Sequence, residues 1–351
     1  MKFKPDSPQE QEKMLDLRTT PIPEMGEETR EKFEKKEWRD IPITEPTTHE
    51  PKLLEVIPNR FNSGKAMAWP AYYKTVAEEN ENDRKPKGFG ELAQAIEGKI
   101  QTSPFVKVRT EIKEKLDRAQ NILDQNIDTS NFQLVVVDGY RRIDVQRELF
   151  NTYYNYLDRE QPGTSKEELI TMARKMVSEA PKDSEILRKS PPPHSTGGAV
   201  DVVLVYKNKI DTSSDYWLQE AMVPFGAKFD EMMDPTYRDK RSETTFYEKE
   251  LRKGTLNEEE REALENRRIL YNVLTEVGFS NYFTEFWHYD FGNQFNAAAT
   301  GKPSAKFGFA GGIEDNGHIA EDLGAEKAAF ENYKASHDPE EAERVKYHFG
   351  L

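Results

Sequence analysis

The chain is 351 residues long, enough for one large domain or about two of ordinary size. Its 64 Asp and Glu exceed its 50 Lys and Arg, giving a formal charge of −14 that repels phosphate and argues against general nucleic-acid binding or an anionic membrane surface. With no cysteine, disulfides, thiolate metal sites, iron–sulfur clusters and cysteine nucleophiles are excluded, and imidazole chemistry is confined to His49, His194, His288, His318, His337 and His348.

The start, MKFKPDSPQEQEKMLDLR, has no apolar h-region and no small-residue cleavage site. No run of about 18 apolar residues occurs, so the expectation is a cytoplasmic protein with no membrane span. Eight of the 20 prolines fall within residues 1–60, among Glu, Lys and Thr. That stretch reads as a polar extension that wraps a domain or stays solvated.

Val108, Ile112, Leu116, Ala119 and Leu123 recur at helical spacing, which predicts a helix over 105–124. NFQLVVVD, residues 131–138, predicts a buried strand. A second helix is expected over 143–158, with Val145, Leu149, Phe150, Tyr153 and Leu157 on one side. Ser165 and Glu168 form a capping-box pattern ahead of Leu169, Met172, Ala173 and Met176. In SPPPHSTGGAVDVVLV the prolines break the chain, the glycines turn it, and Val200–Val205 reads as a strand. Residues 206–256 are long, charged and mixed, and read as insertions around a core. Asn257 can cap a helix carrying Leu264, Leu270, Val273, Leu274 and Val277, with Gly278 suited to its C′ position. NYFTEFWHYDF then reads as an aromatic strand-like segment, and helical potential returns near 322–334. The order lacks a regular βαβ alternation. It predicts an α+β fold with a small central, antiparallel-rich sheet flanked by helices.

Potential metal ligands sit on restrained segments. His194 follows Pro191, Pro192 and Pro193, and Asp201 opens a strand seven residues on, with Gly197 and Gly198 turning the chain between them. Further along, Glu285 and His288 form E-x-x-H among aromatics. Two histidines and one carboxylate would give zinc three protein ligands and an open fourth position. Glu285 would be left over to carry a proton. Each piece alone has an ordinary reading: a histidine at a glycine turn is commonly structural, and an aspartate at a strand start is commonly a cap. The whole set, in this order, points to a metal. One condition follows. On an ideal strand Glu285 and His288 point to opposite faces, so the chain must bulge or turn between them.

These segments resemble the zinc peptidases of family M15, specifically the vancomycin-resistance type D-Ala-D-Ala dipeptidases. That family pairs S-x-H-x-x-G-x-A-x-D with E-x-W-H, and carries a strand followed by D-G-Y-R and a G-x-x-F-D segment. Here the counterparts are His194 to Asp201, Glu285 to His288, Asp138-Gly139-Tyr140-Arg141 and Gly226 to Asp230, in family order. The resemblance covers roughly residues 105–297 and not the two ends. It implies one Zn2+ per chain on His194, Asp201 and His288, Glu285 as general base, Arg141 steadying the scissile carbonyl, and Asp230 near the substrate's amino end. It implies a small D,D-dipeptide substrate, a zinc peptidase domain over 61–297 and a tail over 298–351. A D,D-carboxypeptidase or peptidoglycan endopeptidase would use the same zinc site, and a non-catalytic relative would keep only the fold. Two positions depart from the pattern. Pro192 replaces a serine, removing a substrate hydrogen bond, and Arg142 replaces a proline, adding a positive charge near the site. Without the resemblance, Arg141 reads as a strand-end residue paired with a surface carboxylate, and Asp230 as either a substrate contact or a structural hydrogen-bonding group. Trp287 and Tyr289 read as packing or pocket walls, and His318, His337 and His348 as exposed tail residues.

Overall fold

The computed structural model describes residues 16–56, 106–211, 217–227 and 240–320, with Lys327, Glu331, Lys334, Ala335 and residues 338–340 of the tail. The described chain runs α1 (Glu27–Glu34), β1 (Glu55–Val56), β2 (Lys107–Val108), α2 (Thr110–Gln125), β3 (Phe132–Asp138), α3 (Ile143–Glu160), α4 (Lys166–Met176), α5 (Ser184–Lys189) and β4 (Ala199–Tyr206). It continues through α6 (Trp217–Ala221), α7 (Phe246–Lys253), α8 (Glu258–Glu276), β5 (Ser280–Asn281), β6 (His288–Asp290), α9 (Gln294–Thr300), β7 (Gly312–Ile313) and β8 (Ile319–Ala320). Four strands form the central sheet in the order β3–β4–β6–β5, each neighbouring pair antiparallel. The fold is α+β, as the order of elements predicts.

β4 is the keystone because its sequence, AVDVVLVY, is apolar on both faces apart from Asp201. Such a strand is stable only with both faces covered, and Ala199 to Val205 are fully or almost fully buried. α2 contributes Ile112, Leu116, Ala119 and Leu123 to the same core, and α8 contributes Ile269, Leu270, Val273 and Leu274. β3 lies at the sheet edge, where unpaired backbone groups are a liability. Gln120 of α2 covers part of it: its Oε1 accepts from Leu134 N at 2.7 Å and its Nε2 donates to Phe132 O at 3.0 Å.

The helix ends follow the sequence closely. Ser165–Glu168 and Asn257–Glu260 both close reciprocal capping boxes, each contributing on the order of 1 kcal/mol. α8 ends in a Schellman arrangement, with Gly278 N donating to Thr275 O and Phe279 N to Leu274 O.

Two expectations are revised. The helix expected from 105 begins at Thr110, because residues 107–109 commit their backbone elsewhere. Lys107–Val108 pairs with β1, Lys107 O accepts from Tyr140 N, and Arg109 N donates to Gly197 O. The segment NYFTEFWHYDF is not one strand. β5 and β6 are its paired ends, and residues 282–287 turn between them.

Both flanks of the chain reach this core. Phe33 and Trp38 pack edge-on against Phe295 of α9, with ring centroids 5.1 and 4.5 Å apart. Residues 44–52 bond to 305–313 through Thr44 N to Ala305 O, Lys52 N to Ala310 O and Ile313 N to Thr48 O. Within 206–256, Leu218, Ala221, Val223 and Phe225 belong to the main core. Of the helical expectation for 322–334, only Lys327, Glu331 and Lys334 are described, and all three are helical. No described helix is long and apolar enough to cross a membrane.

Candidate metal centre

The site begins with strand register. Asp201 of β4 stands opposite His288 of β6 on one side and opposite Asp138 of β3 on the other. Directly paired residues on antiparallel strands share a face, so three polar side chains line up across the sheet. The alignment depends on an irregularity in β3. Val136 pairs with Val202, yet Asp138 and not Val137 pairs with Asp201. A bulge of one residue reverses the side-chain alternation beyond it, and here it brings Asp138 to the side of Asp201.

His194 arrives from outside the sheet. Pro191–Pro193 lead into a single 3-10 turn, His194–Thr196, and Gly197 closes it at φ 69°. Only glycine takes that backbone conformation at little cost. Next to it, a Cβ on Gly198 would lie 2.6 Å from Phe291 O, so the turn can press against the β6 side of the sheet only because that atom is absent. The turn is stitched to the Asp138–Arg141 segment: Arg141 N donates to His194 O at 3.2 Å and Ser195 Oγ to Arg141 O at 2.9 Å.

The result is a buried convergence of ligand atoms. His194 Nε2 lies 3.2 Å from His288 Nδ1 and 3.5 Å from Asp201 Oδ2, and His288 Nδ1 lies 3.0 Å from Asp201 Oδ1. His194, Asp201 and His288 are all buried, and their ligand atoms fall within 4.8 Å of one another. A tetrahedral zinc with bonds of about 2.0–2.1 Å spaces its ligand atoms about 3.3–3.4 Å apart, so the observed separations fit.

The outer ring nitrogens support the same fit. His194 Nδ1 is 2.8 Å from Gly139 O, which only accepts, so this nitrogen carries the proton and Nε2 keeps its lone pair for a cation. His288 Nε2 is 3.2 Å from Asp290 Oδ2. Burial alone would lower the His288 pKa, but the carboxylates of Asp290 and Asp201 on either side of the ring raise it well above its ordinary value. Burial alone would raise the Asp201 pKa, but His194 and His288 hold it well below the usual carboxylate range. The buried carboxylates of Asp138, Asp201 and Asp290 lie beside two imidazoles, with the half-buried Glu285 at the edge and Arg141 paired to Asp138. Buried carboxylates grouped in this way suit a cation.

Glu285 sits on the turn between β5 and β6, which meets the condition that the chain turn there. Its Oε2 lies 3.9 Å from His288 Nδ1, beside the ligand cluster but outside it. Arg141 is held on the His194 side by Asp138. Its Nε donates to Asp138 Oδ2 at 3.0 Å, Nη2 bonds the same oxygen, and Nη1 donates to Gln146 Oε1 at 2.9 Å. Asp138 Oδ2 in turn lies 3.8 Å from His194 Nδ1. Arg142 does not face the site as an uncompensated charge, because its guanidinium is bidentate on Asp144. Asp230 lies outside the described residues, as do His337 and His348. His318 is exposed, and His49 pairs with Asp315 at the surface. Trp287 and Tyr289 are buried core residues.

Three groups escaped the sequence reading: Gly139 O, the Asp138 carboxylate and Asp290. A backbone carbonyl leaves no trace in a sequence. Asp138 was visible in D-G-Y-R, but its placement needs the bulge. Asp290 had a signal, since a residue two positions beyond His288 on a strand shares its face.

A family model described as Peptidase_M15, D-ala-D-ala dipeptidase, matches residues 92–302. A D-alanyl-D-alanine dipeptidase from Synechocystis sp. is 26% identical over 219 residues, spanning 60% of this chain and 77% of the relative. The matched region contains the whole cluster from Asp138 to Asp290, and the chain belongs to the peptidase M15 family of D-ala-D-ala dipeptidases.

Proposed function

We propose that the chain is a zinc-dependent dipeptidase that hydrolyses D-alanyl-D-alanine or a similar small D,D-dipeptide. The carrying observation is the buried convergence of His194 Nε2, His288 Nδ1 and Asp201 Oδ beside the Glu285 carboxylate. Membership of the M15 family and the name of the Synechocystis relative support the substrate class. When bound, zinc supplies a Lewis acid that polarises the peptide carbonyl and lowers the pKa of a coordinated water to about 7.

The protein groups then divide the work. His194, Asp201 and His288 hold the cation. Glu285, close to the ligands but not one of them, accepts a proton as water oxygen attacks the carbonyl carbon. It passes that proton to the leaving amine as the C–N bond breaks, so water and dipeptide become two amino acids. Arg141, fixed by Asp138 and Gln146, presents positive charge to the carbonyl oxygen as that atom becomes more negative. Asp230 is assigned to the substrate's ammonium group by its place in the family pattern.

The test is a substrate panel with zinc-loaded protein: free D-Ala-D-Ala, L-Ala-L-Ala and a muramyl pentapeptide ending in D-Ala-D-Ala. The expected result is hydrolysis of the free D,D-dipeptide and not of the other two. Faster release of D-Ala from the pentapeptide would move the assignment to a D,D-carboxypeptidase with the same centre.

A further inference from the structure

Glu285 is given the proton transfer above, yet it sits on the 282–287 turn and not on a strand, so its place depends on what fixes that turn. We propose that Asn281 is a positioning residue of the candidate active site, whose side-chain amide locks the turn and so sets the Glu285 carboxylate relative to His288. The inference rests on the reading of Glu285 as general base.

Asn281 ends β5, opposite Tyr289 of β6. Its Nδ2 donates to Glu285 O at 2.9 Å and to His288 O at 3.0 Å. One amide thus bridges the carbonyls at both ends of E-x-x-H. Carbonyl oxygens only accept, so the NH2 group faces them and Oδ1 is left for a donor. Thr244 supplies that donor, its Oγ1 bonding Asn281 Oδ1. Within the turn, Glu285 N donates to Tyr282 O at 2.9 Å, but the bond from His288 N to Glu285 O is long, at 3.3 Å.

The turn is also backed by residues 242–244. Thr244 N donates to Phe283 O at 3.1 Å, Ser242 Oγ to Thr284 O at 3.0 Å, and Phe286 N to Ser242 O at 3.1 Å. Ser242 and Thr244 are buried. Arg267 of α8 holds this segment in turn. Its guanidinium donates to Glu243 O and Arg241 O and lies 4.5 Å from the centre of the Phe286 ring. Support therefore runs from α8 through Thr244 and Asn281 to Glu285.

A base must lie within hydrogen-bond reach of the proton it takes, and a misplacement of about 1 Å costs up to about 10²-fold in rate. Asn281 uses two donors and one acceptor, which an amide provides. Alanine there leaves Glu285 O with the long bond from His288 N.

The experiment is a double-mutant cycle in D-Ala-D-Ala hydrolysis by the zinc-loaded full chain. It compares wild type, Asn281→Ala, Glu285→Gln and the two changes together, with zinc content measured for each. Asn281→Ala is expected to keep its zinc and a KM within about twofold of wild type, while kcat falls about 10–100-fold. In the Glu285→Gln background the same change should move kcat by less than about twofold, because the base it positions is gone. A residue serving the fold alone lowers kcat by the same factor in both backgrounds, and that result overturns the proposal. So does an unchanged kcat in Asn281→Ala, or loss of its zinc, which moves the role to His288. If Asn281→Ala fails to fold, Thr244→Val, which releases Oδ1 and keeps the amide, enters the same cycle under the same criteria. Near wild-type turnover by Glu285→Gln overturns the reading of Glu285 as base, a separate failure visible without any change at Asn281.

Discussion

At the scale of single residues, the proposed function divides the site into groups that would hold a cation and one that would move a proton. Glu285 stands 3.9 Å from His288 Nδ1 and is not among the residues whose ligand atoms all lie within 4.8 Å of one another. Glu285→Gln keeps the side chain's size and removes its basicity. We expect this variant to bind zinc with unchanged stoichiometry and to lose turnover by about 10²–10⁴-fold, the usual worth of a general base. Metal analysis and a dipeptide assay on one preparation check both halves, and near wild-type turnover would remove Glu285 from the reaction. His288→Ala should instead lose the metal, because it deletes a ligand and leaves Asp290 buried without its imidazole partner and Asp201 with His194 alone. Much of this was legible in the sequence. A lone aspartate in AVDVVLVY has no packing reason to be there, and a histidine behind three prolines has little backbone freedom. The partners that tune those ligands were not legible, because Gly139 acts through its carbonyl and Asp138 through a bulge.

At the scale of elements, the metal centre depends on a turn that is not part of the sheet. The His194–Thr196 turn is clamped by Arg109, whose Nε donates to Thr196 O at 2.8 Å and whose Nη1 pairs with Glu45 at 2.8 Å. Its Nη2 reaches Gly308 O at 3.3 Å, and its guanidinium lies over the Phe307 ring. One buried cation thus joins the N-terminal flank, the ligand turn and the segment after α9. Arg109→Met keeps the bulk and removes every one of these bonds. The expected cost is about 2–4 kcal/mol, below that of breaking a fully buried ion pair because Glu45 is partly exposed. Chemical denaturation of the metal-free protein measures it, and an unchanged midpoint would mean the clamp is not structural. Periodicity located α2, α3 and β4 well. It placed the start of α2 five residues early, since no local pattern reveals that Lys107 and Arg109 spend their backbone groups on Tyr140 and Gly197. Aromatic content made residues 281–291 read as one strand-like segment, because it resembles strand composition, whereas residues 282–287 turn and carry Glu285.

At the scale of the whole molecule, the candidate metal site is built onto an apolar sheet core. β4, which carries Asp201, is packed on both faces by apolar side chains. A cation that binds only the folded state still raises its stability, by about 2.7 kcal/mol at a free concentration 100 times Kd. Added zinc should therefore raise the melting temperature of the wild type in a saturable way, and a chelator should reverse the rise. His288→Ala should melt at the same temperature with or without zinc. The charge of −14 argues against polyanionic partners but does not select a substrate, because the site rests on a few local groups. The central claim, that His194, Asp201 and His288 together hold zinc, is tested most directly by an anomalous difference map at the zinc edge from crystals of the full chain. The account predicts one strong peak within about 2.0–2.2 Å of His194 Nε2, His288 Nδ1 and an Asp201 carboxylate oxygen. A zinc-loaded crystal with no peak there, or with its peak at other residues, would contradict it.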